Sequence, residues 1–432
     1  MRNKKSNKKE LITSGLSLSL CGAMFVGSTF AWFTDTAKTA VNTIQAGNLN
    51  VSLLDSTGES LEGKEINFFS NEGNEDKVVT LWEPGTEANT QRMYVANQGN
   101  LPLKYKLVVN GINGDQKLLE AIKFTVNVNG SETNINEFEG TIEANGNSDE
   151  IVITAHMNKD AGDEYQGLSI NNFGITVLAT QVDKEAKLPT ISNSSTDLMD
   201  KLTNNTGEFV DIVLTDDVSI DTNGLMVGSA DTKEVIIDGN GGTFTATGAG
   251  VYAMKMANPN GNLIFKNMTI VDESKSYAEN SWEFGYLEFA GNVKFENVTF
   301  ANAIMIEGNE NHDSHVEFIN CTFNSPVENE YAVWVADGSA IFTDSTFTGY
   351  RAIKVHEAYG SDVKSVIVDN CTFDNLEKKP GVAIGTLDSE TTVTIKNSTF
   401  TNCPGGDQGK HIYESDTDVK TFNFTETNNT IN

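Results

Sequence analysis

The feature that most constrains this chain is a phrase that returns on itself. The segments LIFKNMTI (263–270), VKFENVTF (293–300), VEFINCTF (316–323), AIFTDSTF (340–347), VIVDNCTF (366–373) and VTIKNSTF (393–400) are variants of one motif. From Asn297 the equivalent polar residue recurs at Asn320, Asp344, Asn370 and Asn397, in steps of 23, 24, 26 and 27 residues. Such a step accommodates three short strands with their turns and is too short for a propeller blade, so it predicts a right-handed parallel β-helix. Stacked coils bring equivalent positions to about 4.8 Å, the strand spacing, and like side chains then pile into ladders. Strict alternation from Val293 and Phe295 puts Asn297 on the inward face. It thereby predicts an internal ladder of Asn267, Asn297, Asn320, Asp344, Asn370 and Asn397 that bonds backbone groups at one bend. A second internal stack is expected through Ile270, Phe300, Phe323, Phe347, Phe373 and Phe400. An inward Asn cannot carry a glycan, so the N-x-[ST] sequons at these positions are expected to stay unused.

The repeats fill only the back half. Ahead of them, FVDIVLTDDVSI and VIIDGNGGTF read as the opening coils, preceded by a short amphipathic cap helix at about Thr196 to Leu202. DKEAKLPTISNSS (183–195) loses alternation and contains Pro189, so a linker is placed at 184–195 and the β-helix at 196–432. Between residues 32 and 183 short runs alternate with period two: Leu49, Val51 and Leu53; Met93 and Val95; Leu103, Tyr105 and Leu107; Phe124, Val126 and Val128; Phe173, Ile175 and Val177. Turn signals such as Pro84-Gly85 and Asn129-Gly130 separate them, as in an antiparallel sandwich. The fold class is therefore all-β, a jelly-roll-like sandwich followed by a parallel β-helix.

Charge and cysteine narrow the function. Thirty Lys+Arg against sixty Asp+Glu give a formal net charge of -30, a field that repels a phosphate backbone, so nucleic acid is excluded as a partner. Residues 1–10 are basic, Leu11 to Phe30 apolar, and Thr29 and Ala31 fit a cleavage site before Trp32; residues 1–31 read as a secretory signal peptide. The four cysteines form no CxxC pair. Cys321 and Cys371 fall two coils apart, about 9 to 10 Å by strand spacing and beyond disulfide reach, so free thiols are expected. Such sparing use of cysteine in an exported chain suits a Gram-positive type surface.

Four dispersed segments carry a family resemblance: STFAWFTDT (28–36), AGNLNVSL (46–53), the EPG turn with NQGNLPLKYKLVV (97–109), and EYQGLSINNFGITVLATQ (164–181). In this order they resemble the TasA and camelysin family of exported surface and biofilm-fibre proteins. The resemblance implies a sandwich at 32–183, processing by a dedicated signal peptidase, and self-association or matrix partners. It also implies assembly through the mature N-terminus, here Trp32, Phe33, Thr34, Thr36 and on to Val41. That segment is Pro-free and Thr-rich behind an apolar tip, and so is suited to adding a strand to an open sheet edge or to folding back on its own domain.

Parallel β-helices also host polysaccharide chemistry. AIMIEG (303–308), AVWVAD (332–337), AIKVHE (352–357) and AIGTLD (383–388) align as the second strand of successive coils. Alternation turns Met305, Glu307, Trp334, Lys354 and His356 outward beside Asp337, Glu357 and Asp388. Trp334, Lys354, His356, Glu307 and Asp337 form the candidate ligand-binding set, able to stack a sugar and bond its hydroxyls. The clustered acids of a calcium-dependent lyase and the paired Asp of an inverting hydrolase are not found intact, so no catalytic residue is assigned. No cofactor is called for. Asp160, Asp163 and Glu164 offer oxygens that suit only a loosely held calcium, and His312 with His315 lack a third metal ligand. The expectation is a secreted surface or matrix protein of structural or adhesive role, the alternative being a polysaccharide-binding or polysaccharide-cleaving one.

Overall fold

The computed structural model describes the backbone of Thr34–Lys38, most of 50–182 and most of 187–432. Residues 1–31, the expected signal peptide, and Trp32, Phe33 and Val41 lie outside the described residues, as do 71–77, 111–117, 169–173, 274–286, 308–313, 358–361, 388–390, 406–410, 416–421 and shorter stretches. Contacts divide the chain into two units, 1–188 and 189–432. The division places the expected linker's last residues inside the second unit. Thr190–Ser192 already pairs in parallel with Phe209–Leu214 as the first strand of the solenoid.

The first unit is a sandwich of antiparallel sheets. One sheet runs β1 (Thr34–Lys38), β11 (Gly174–Gln181), β6 (Leu103–Asn110), β9 (Gly140–Ile142). The other is built on β2 (Val51–Asp55), β5 (Met93–Asn97), β10 (Ile151–Met157), β4 (Glu87–Thr90) and β3 (Phe68–Ser70), with β7 (Ile122–Val128) and β8 (Ser131–Asn134) joined to β10. The alternating residues read from the sequence meet between the sheets: Val51, Leu53, Met93, Val95, Leu103, Tyr105, Leu107, Val126, Ile175 and Val177 are buried in one cluster. Phe124 and Val128 flank it, half-buried. Asn97, 1 % exposed, sits at the end of β5 and holds the chain together there. Its Nδ2 donates to the Leu101 and Glu143 carbonyls, while its Oδ1 accepts from the Gly99 amide. The strand from Thr34 to Lys38 folds back on its own unit, Thr34 opposite Thr180 and Lys38 opposite Thr176 in antiparallel register.

The second unit opens with an α-helix, Ser195–Thr203, that buries Leu198 and Leu202. The Ser194 side chain caps its first turn by accepting from the Asp197 amide. Beyond it, three strands per coil wind a parallel solenoid; one coil, for example, is Gly338–Thr343, Thr346–Gly349 and Ile353–Val355. The first two strands of each coil belong to one continuous sheet and the third to another. AIMIEG and its counterparts thus form the third strand of the coil, not the second.

The expected phenylalanine stack is present. Phe300, Phe323, Phe347, Phe373 and Phe400 are buried with nearly parallel rings at centroid spacings of 4.9, 4.6, 4.8 and 4.6 Å. A second stack, Phe265, Phe295, Phe318 and Phe342, runs beside it and meets it edge to face. Offset and T-shaped contacts of this kind are the favoured arrangements for aromatic rings.

The asparagine ladder exists, but on the outside. Asn297, Asn320, Asp344, Asn370 and Asn397 are exposed and Asn267 half-exposed, each with φ between 52° and 55°. A left-handed residue turns the corner between the first and second strands and breaks the alternation there. Phe295 points in, Glu296 and Asn297 both point out, and Val298 points in again. Asn and Asp tolerate this region better than other residues with a Cβ, which explains the residue choice more directly than an interior role would. The inward place falls to the next residue, among them Cys321, Ser345, Cys371 and Ser398, all about 1 % exposed. Ser345 Oγ accepts from the Cys321 amide and Ser398 Oγ from the Cys371 amide, so the corner is sealed from within. The three described cysteines are free and buried, as expected, and burial pushes the Cys321 and Cys371 thiols up to about 12.

Candidate functional site

Two outward faces of the solenoid carry the candidate side chains. At the corner, each ladder amide bonds the one below it. Asn267 Nδ2 donates to Asp238 Oδ1 at 3.1 Å, Asn297 to Asn267 at 3.1 Å, and Asn320 to Asn297 at 2.7 Å. Asp344 has no amide to give, so the series restarts with Asn370 donating to Asp344 Oδ1 at 2.6 Å. Asn397 leaves the line and donates to Asp369 at 2.8 Å. Burial therefore gives no ground for excluding glycans at these sequons. What the structure shows instead is an amide already engaged in the ladder.

The second face is the sheet of third strands. Its register places Met305 beside Trp334, Trp334 beside Lys354, and Lys354 beside Ala383. The expected alignment of AIGTLD was thus two residues out of step. Gly385, not Leu387, is the neighbour of His356, and a Cβ there would lie 2.2 Å from the imidazole Nδ1. Met305, expected outward, is 4 % exposed because it packs with Ala303 and Ala336 under the Trp334 ring. Lys354 Nζ lies 4.0 Å from the indole centroid, a cation–π contact, and Trp334 Nε1 donates to the His356 carbonyl at 2.8 Å. The indole is thereby committed to the neighbouring coil, with Lys354 where a sugar ring would stack.

The acids divide in the same way. Asp337, expected at a solvated bend, is 4 % exposed and accepts from the Ser314 amide at 3.2 Å and the Asp362 amide at 3.1 Å. Glu357 accepts from the Val363 amide at 3.1 Å. Both satisfy backbone donors at the turns. Glu307 is half-buried on the coil beneath, and Asp388 lies outside the described residues. The structure thus brings Trp334, Lys354 and His356 together and draws Asp337 away into the turn.

Of the other candidates, His315 pairs with Glu317 at 3.3 Å, and that contact holds the Glu317 carboxyl below its usual range. His312 lies outside the described residues. Asp163 Oδ1 accepts from Gln166 Nε2 at 2.7 Å within a turn of 3-10 helix. Among the described residues no three His, Cys, Asp or Glu side chains are grouped to hold a metal.

Two features escaped the sequence reading. Glu234 is half-buried in the opening coils, and desolvation together with the negative charge of Asp211 pushes its carboxyl up to about 7. Those coils precede the recognisable repeats, so nothing in the spacing marked it. The other is the Thr that opens each second strand, visible in the motif but weighed, where an Asn precedes it by two, only as half of a sequon. Thr243, Thr269, Thr299, Thr322, Thr346, Thr372, Thr399 and Thr430 stand opposite one another in continuous parallel register.

Residues 302–432 match the family model described as "Right handed beta helix region". No curated protein matches the sequence. Among solved structures, the Agl-KA catalytic domain is 12% identical, covering 91% of this chain and 79% of its own, with a TM-score of 0.35. The catalytic unit of a thermostable GH87 alpha-1,3-glucanase from Streptomyces thermodiastaticus is 11% identical, covering 92% and 96%, with a TM-score of 0.26. Likeness this slight bears on neither activity nor substrate. With the family match and the three-strand coils together, the C-terminal half of the chain is a right-handed β-helix.

Proposed function

We propose that this is a secreted surface or matrix protein of structural or adhesive role, in which the β-helix acts as a stiff rod. The observation that carries the reading is the use made of its best chemical groups. Trp334, Asp337 and Glu357, the residues most able to engage a substrate, are spent on holding neighbouring coils and turns. The TasA and camelysin resemblance of the first unit supports the same role. In this reading, assembly proceeds by Thr34–Lys38 leaving β11 of its own unit to pair with the next copy, since a strand at a sheet edge can be exchanged at little cost. Deleting residues 32–41 tests this. Concentration-dependent oligomers seen by light scattering, and filaments seen by electron microscopy, are expected to vanish with the strand, and unchanged assembly would remove the mechanism.

A second reading, glycan binding without turnover, rests on Lys354 and His356, both half-exposed above Trp334. It expects retention on an acidic polysaccharide that His356→Ala weakens. Release of reducing or unsaturated ends by the purified protein would instead make it an enzyme.

A further inference from the structure

We infer that the strip of second strands is an ice-binding face, a function separate from the assembly role proposed above. Its basis is the threonine row. From Thr243 to Thr430 the hydroxyls stand on successive coils without a register shift, half-exposed or exposed, while the next residue in each strand up to Thr399 is buried. None of these hydroxyls has a hydrogen-bond partner within the described residues. Their repeat is fixed from inside, because the rings directly behind them stack at 4.6 to 4.9 Å. The Asn corner runs parallel on one side, its amides held by one another. On the other side the row two residues on contains Asn324, Thr348, Asp374 and Thr401.

Each threonine presents a methyl and a hydroxyl at one fixed interval close to the oxygen repeat of ice. A rigid array of that kind can order a layer of water before contact, at little further entropic cost. Charge would break such a layer, because an ion holds its own hydration. In a chain of net charge -30, the strands Thr322–Ser325, Thr346–Gly349, Thr372–Asp374 and Thr399–Thr401 carry a single charge, Asp374. A neutral glycan is the competing ligand. Sugar faces are read largely by aromatic stacking, and every ring in these four strands points inward, at 0 % exposure.

The test uses the full chain. In slow freezing it should be enriched several-fold in the ice fraction relative to an inert soluble protein, and it should facet single crystals held just below melting. The triple variant Thr322→Tyr, Thr346→Tyr, Thr372→Tyr should lose both effects while keeping the circular dichroism of the parent. Thr394→Tyr, on the outward face of a first strand, should keep both. Should the triple variant misfold, the single change Thr346→Lys, which puts a charge mid-row, should reduce ice enrichment at unchanged melting temperature. Exclusion of the parent protein from ice, equal retention of the folded triple or single variant, or capture on microcrystalline cellulose without ice enrichment would each overturn the inference.

Discussion

Two asparagines show how differently the two units are held. Asn97 is buried in the sandwich, where its one side chain bonds three backbone groups from different parts of the chain. Asn297 stands at the surface of the solenoid, and its side chain partners are Asn267 below and Asn320 above, copies of itself. The sandwich depends on single, irreplaceable contacts. The solenoid spreads the same chemistry over many equivalent ones, and what it demands of each corner is a backbone conformation before it is a hydrogen bond.

The sharpest challenge to that contrast is in the core, where repetition should give no shelter. Phe342 is fully buried between a parallel ring at 4.7 Å and an edge-on ring at 5.6 Å, so Phe342→Ala should cost about 3–5 kcal/mol in denaturant unfolding. A loss under about 1 kcal/mol would mean that the stack relaxes around a gap. Asn97→Ala should cost about 2–3 kcal/mol, since it strands the buried Gly99 amide and takes a donor from the half-buried Leu101 carbonyl. Asn370→Ala should cost only about 1–2 kcal/mol, the strain of a left-handed Cβ, and Asn370→Gly should recover most of it despite losing the bond to Asp344. If Gly were as harmful as Ala, the ladder bond would outrank the conformation. Asp344→Asn supplies the missing donor toward Asn320 and should raise stability by about 0.5–1.5 kcal/mol, read as a shift in midpoint.

The smallest effect is in pH. Because the Glu234 carboxyl titrates higher in the fold than in the unfolded chain, the native state binds the extra proton between the ordinary glutamate range and about 7. Solenoid stability should therefore fall as pH rises through that window, and Glu234→Gln should flatten the profile. The sandwich should show no matching change.

The repeats were legible because coil length, ring positions and polar positions recur together, and the parallel β-helix, free thiols and phenylalanine stack follow from them. The face of Asn297 was misread because period-two alternation holds only while the backbone stays extended, and one left-handed residue resets it. The same assumption of even spacing put AIGTLD out of step with AIKVHE, whereas the register follows Val382 opposite Ile353. The capping roles of Asp337 and Glu357 depend on amides at Ser314, Asp362 and Val363, which only the folded turns bring near. No local pattern carries that information.

The left-handed corner has one more consequence. Excising Cys321 to Asp344 would join Asn320 to Ser345, leaving Asn320 beside Asn370 and Thr299 and Phe300 beside Thr346 and Phe347, neighbours of the kind they already had. At the corner and along the second strands such a rod can shorten or lengthen by loss and duplication of whole turns while keeping its contacts, so its reach is a quantity that descent can adjust.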